Sequence, residues 1–152
     1  MLAIMTGLHA LAAVVWVGGM FFAYMALRPS VGSLSAPDRV ALWAGVFGKF
    51  FPWVWMTVVI LLASGFWIIL VEWGGFAAAG IHVHTMLLLG LIMMALFSHL
   101  YFAPFRRLRA AVAANDTPAA AKQIGTIRII VATNLVLGLI TVAIGASGRY
   151  WG

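Results

Sequence analysis

Four imidazoles are the side chains of this chain best suited to chemistry: His9, His82, His84 and His99. His9 stands out. It sits in Met1–Met25, MLAIMTGLHALAAVVWVGGMFFAYM, an apolar stretch with no formal charge. A titratable ring inside hydrocarbon costs free energy unless something binds it, so such a residue marks a functional site by default. Neutral imidazole serves as an axial ligand to haem iron and as a ligand to copper. The other chemistries are poorly supplied. Cysteine is absent, which excludes disulfides, cysteine-held iron–sulfur clusters and thiolate metal sites. The only acids, Asp38, Glu72 and Asp116, fall in links or at a span end, so no carboxylate proton relay is built inside the membrane. No P-loop, GxSxG or HExxH motif occurs. The residues leave open whether the chain is an enzyme; membrane redox chemistry is what its histidines would support.

The elements that must position these rings are membrane helices. Of 152 residues, 65% are hydrophobic and 8% charged, and the mean hydropathy is +1.12. Soluble domains carry about 25% charged residues, so this chain cannot clothe a water-facing surface. Four apolar segments, at about 2–27, 51–71, 81–102 and 129–146, approach the roughly 20 residues that a span requires. Their backbones must satisfy themselves, which makes them helices. The expectation is an all-α, integral membrane four-helix up-down bundle in a single domain. The first segment lacks a basic leader and an A-x-A cleavage site and reads as a retained span.

Charge sets the orientation. Arg28, Arg39 and Lys49 lie between spans one and two, and Arg106, Arg107, Arg109, Lys122 and Arg128 between spans three and four. Only Arg149 lies on the other side. The positive-inside rule places the basic links in the cytoplasm and both termini in the periplasm of a bacterial inner membrane. The net charge of +6 therefore reports topology, not nucleic-acid binding. Ser35-Ala-Pro37 reads as a helix start, and Val40, Trp43, Phe47 and Phe50 recur at helical spacing, predicting a short helix on the membrane surface. Pro52 suits a first helical turn. Asn115-Asp-Thr-Pro118 reads as a stop followed by a new N-cap, so the last helix should start near Pro118. Trp53, Trp55, Trp67 and Trp73 fit aromatic belts. Thr133 and Asn134 suit hydrogen bonds between helices.

In such a bundle, spans one and three lie diagonally across the core. Each carries a histidine near its outer end. His9 lies about 10 Å below that end, and His84 better matches its depth than His82. His99 is about 22 Å further along the third span, within about 60° of the face of His84. One arrangement is haem b held between His9 and His84, with His82 or His99 in reserve and electron transfer as the function. Gly7, Gly18 and Gly19 would admit the flat macrocycle, Trp16, Met5 and Met20 would wall it, and Arg149 would meet a propionate. A second arrangement is a copper site: Met5 and His9 are four apart on one face, His82, His84 and Met86 lie nearby, and thioether with imidazole suits Cu(I). A third possibility is an accessory subunit, in a homo-oligomer or a larger respiratory or photosynthetic complex. His99 either joins Met20 or Met25 in a second site or snorkels to the interface.

The stretch LHALAAVVWVGGMFFAYMALRP (Leu8–Pro29), with His9, Trp16, Gly18 and Gly19, resembles the first span of CopD-type bacterial membrane proteins. His82–Val112 (HVHTMLLLGLIMMALFSHLYFAPFRRLRAAV) and Arg128–Trp151 (RIIVATNLVLGLITVAIGASGRYW) are similar to the end of that family. The resemblance implies copper uptake or resistance. In layout the chain also resembles HemJ-type protoporphyrinogen oxidases, which bind haem b through histidine. There a lysine follows the histidine of the third span; here His84 stands in that place if His82 matches the histidine. Protoporphyrinogen oxidation is therefore not implied, while haem binding through His9 is.

Overall fold

The computed structural model describes residues 1–151, with Arg149 through its backbone alone. Four long helices follow one another: α1 (Leu2–Ser33), α2 (Ala36–Glu72), α3 (Ile81–Ala113) and α4 (Thr117–Ser147). They are 31 to 37 residues long. At 1.5 Å per residue each exceeds the roughly 30 Å hydrocarbon thickness of a bilayer. Four antiparallel helices leave both termini at one end of the bundle and the basic links at the other. The all-helical membrane bundle expected from the sequence is the observed fold.

The helices run longer than the apolar segments, and the surface helix expected at Ser35–Phe50 does not exist as a separate element. Ser35 caps the start of α2, accepting from the Asp38 amide at 3.3 Å. From Ala36 the α-helix then runs unbroken to Trp67 with Pro52 inside it, not at its first turn. The reason is a stripe that ignores the link–span boundary: Val40, Trp43, Phe47, Phe51, Val54 and Val58 are all buried. Each lies three or four residues from the next, so one face of one helix carries them all. The carbonyl that a proline at 52 would strike belongs to residue 48, a glycine.

In α3 the chain likewise passes Phe102. A wide π turn at Tyr101–Phe105 takes up Pro104, and regular helix resumes at Arg106–Ala113. A similar turn at Ala23–Leu27 precedes Pro29 in α1. Such turns absorb the missing proline hydrogen bond without ending the helix. At the end of α3, Asn115 takes φ 56°, with Asn115 N–H donating to Val112 O at 3.1 Å and Asp116 N–H to Ala111 O at 2.9 Å. This is the Schellman pattern that closes a helix. Asp116 then caps α4 by accepting from the Ala119 amide at 2.9 Å, so the expected start beside Pro118 holds.

Helix α1 lies along α2, and α3 along α4; α4 also touches α1 and α2. Between lipid-embedded helices there is little hydrophobic drive, so close packing must hold them. The packing is aromatic. Phe47 stacks on Trp43 at 5.0 Å and on Phe51 at 5.1 Å. Phe51 meets Phe97 at 5.5 Å and Phe105 at 4.8 Å, edge to face. Leu108, Ala120 and Ile127 are completely buried. Deeper in, Gly138 lets Val17 and Met93 close on α4: a Cβ there would stand 2.8 Å from Val17. Asn134 donates from Nδ2 to the Met93 carbonyl of α3 at 3.1 Å, the interhelical bond expected of it. Thr133 instead donates to Ile129 O of its own helix.

Candidate functional site

His9 is half-buried on α1 and faces α2. Its Nδ1 lies 2.9 Å from Ser64 Oγ, and the Leu61 backbone is a second polar neighbour. Ser64 is 2% exposed and its hydroxyl donates to Ile60 O at 2.6 Å. A serine has one proton. With that proton committed to Ile60, Nδ1–H of His9 is the donor to Ser64. We assign this tautomer from the bond network. Nε2 then keeps its lone pair. A metal-binding histidine is ordinarily held in this way, its other nitrogen donating to a fixed acceptor. Gly65 makes the fit possible: a Cβ there would lie 3.3 Å from His9 Cε1. Met5, one turn nearer the terminus, is also half-buried on the same helix, and its i,i+4 spacing puts its thioether on the His9 side.

Ser64 and Gly65 are the residues that sequence reasoning missed. The signal was present: a hydroxyl beside a gap in the middle of an otherwise apolar span. Nothing in α2 alone says that a ring from α1 will lie there.

The other histidines do not join His9. His84 is exposed, with its ring 6.5 Å from Phe76. His82 is half-buried between helix ends, 5.8 Å from the Trp73 ring and 6.5 Å from that of Trp151. It packs so tightly on Gly148 that a Cβ there would stand 2.5 Å from it. His99 is exposed, towards the basic end of α3. The described contacts of His9 are thus with α2, and those of His82 and His84 are with aromatic rings at the helix ends.

A haem between α1 and α3 does not fit this arrangement. Those helices meet through Trp16, buried against Phe97 at 6.0 Å. The cavity left beside them is about 20 Å³, about the size of one water. The glycines assigned to the macrocycle have other surroundings. Gly19 is filled by the Phe50 ring, which a Cβ would strike, while Gly7 and Gly18 have open space beside them. Neither this cavity nor the one between α1, α2 and α4 is lined by a histidine. The Arg149 side chain, the expected propionate partner, lies outside the described part of the structure.

No three His, Asp or Glu side chains converge among the described residues. A metal at His9 would therefore be held by few protein ligands, imidazole with thioether. Sparse soft ligation of that kind suits monovalent copper.

Fold and site together define a multi-pass all-α membrane protein with one oriented imidazole near the termini end. The family model of copper resistance protein D matches residues 44–147, and the chain belongs to that family. The match takes in Ser64, His82, His84 and His99; His9 and Met5 lie before it. No curated protein matches the chain, nor does any solved structure.

Proposed function

We propose that the protein handles copper in a bacterial inner membrane, with both termini and the His9 site on the periplasmic side. Copper is its cargo. Nε2 of His9 and the thioether of Met5 take the ion as Cu(I), while His82 and His84, at the rim of the same end, offer first contacts. The reading is carried by the Ser64-held imidazole with its free Nε2, in a chain of the copper resistance family. The eight Lys and Arg residues between the apolar segments, Arg28 to Lys49 and Arg106 to Arg128, support the orientation.

The test is cellular copper accumulation together with Cu(I) titration of the purified chain. His9→Ala should abolish both the accumulation phenotype and the tightest binding event. Ser64→Ala should weaken binding about 10–100-fold, the usual effect of losing an orienting partner. Unchanged copper handling in His9→Ala would overturn the reading. So would a Soret band in the purified protein that vanishes with His9, because that would restore a haem.

A further inference from the structure

At the basic end of the bundle a second cavity of about 260 Å³ opens between α1, α2 and α4. Three arginines line it, one from each helix: Arg28, Arg39 and Arg128. No acidic residue lines it. The nearest acid in sequence, Asp38, is engaged with Ser35 at the start of α2. Arg28 is stacked over the Tyr24 ring at 5.1 Å, which holds its planar fork in place at the cavity edge. Like charges gathered around one space repel, and a bound anion relieves that repulsion. Guanidinium forks match phosphate oxygens in pairs, which makes arginine the usual residue for such recognition.

The walls away from the arginines are apolar: Ala23, Val31, Phe47, Ile127 and Val131. A free inorganic anion has no use for that surface, and an acyl chain does. We propose that this cavity binds the phosphate of an anionic phospholipid, headgroup on the three arginines and chain against the apolar wall. The site would tie α1, α2 and α4 together at the end where no hydrogen bond between side chains joins these three helices among the described residues. It is independent of the copper reading and lies at the opposite end of the molecule.

The test is lipid binding by the full chain in detergent, read by native mass spectrometry and by thermal melting. The probes are phosphatidylglycerol, phosphatidylcholine and inorganic phosphate. Phosphatidylglycerol should bind and raise the melting temperature, and phosphatidylcholine should do so far less. Arg39→Gln and Arg128→Gln should each weaken phosphatidylglycerol binding about tenfold or more, the effect of losing a charged hydrogen bond. Arg107→Gln removes the same charge from an exposed position outside the cavity and should leave binding unchanged. Arg39→Lys, which keeps the charge and loses the fork, should fall between, and serves if the glutamine variant does not fold. Equal weakening by Arg107→Gln would overturn the site in favour of diffuse surface charge. Equal affinity for inorganic phosphate, lost in the same variants, would overturn the lipid and leave a small-anion site. Absence of binding by any probe would overturn both.

Discussion

The two ends of this bundle are built differently. Towards the basic end, stacked aromatics and completely buried aliphatics lock all four helices together, from Trp43 through Phe51 and Phe105 to Leu108. Towards the termini the packing thins. In α3 no residue before Met93 is buried, and in α1 none before Ala12. There an imidazole on a serine, His9 on Ser64, makes a polar contact across helices. The packing of the basic end does not involve His9. On the copper reading proposed above, the looser end leaves His9, held by Ser64, for ligand binding. Regions that bind and move are drawn from the less stable part of a structure.

Substitutions at the two ends should separate stability from function. Phe51→Ala, at the centre of the aromatic stack, should cost about 3–5 kcal/mol in a denaturant titration. Gly138→Val, which drives a branched side chain into Val17 and Met93, should cost about 1–3 kcal/mol. The same change at Gly18, with open space beside it, should be near neutral; a cost equal to that at Gly138 would mean that the packing described for α4 is wrong. Asn134→Leu removes one interhelical bond but also relieves Oδ1, a buried oxygen without a partner. Its loss should be small, about 0.6 kcal/mol and not above about 1.7. His9→Ala should change stability little, by less than about 1 kcal/mol, and yet remove copper handling. If His9→Ala instead unfolds the protein, the termini end is structural and the contrast fails.

Much of this was legible before any coordinates. Four spans, their alternation and the common end for both termini follow from hydropathy and basic residues, because lipid permits so few backbone solutions. The caps at Ser35 and Asp116 were legible too, since they depend on local chemistry. The joining of link and span into one long α2 was not read, although the Val40–Val58 stripe spells it out, because Pro52 looked like a beginning. Proline forbids its own amide bond but does not forbid a helix whose neighbours are held on both sides.

The facing of His9 was the part that sequence reasoning could not settle. Depth along a helix follows from counting residues, and by depth His84 was a fair partner. Which way each ring turns depends on how the helices rotate about their own axes, and that is settled by packing. Gly65 and Ser64 make room and offer an acceptor on α2, while Phe97 and Trp16 fill the space between α1 and α3. By itself the sequence determined the class, the topology and that an imidazole lies buried in a span, because these rest on the energetics of single segments in lipid. Only the tertiary structure decided the partner of that imidazole, because facing is a property of the whole bundle and no one helix carries it.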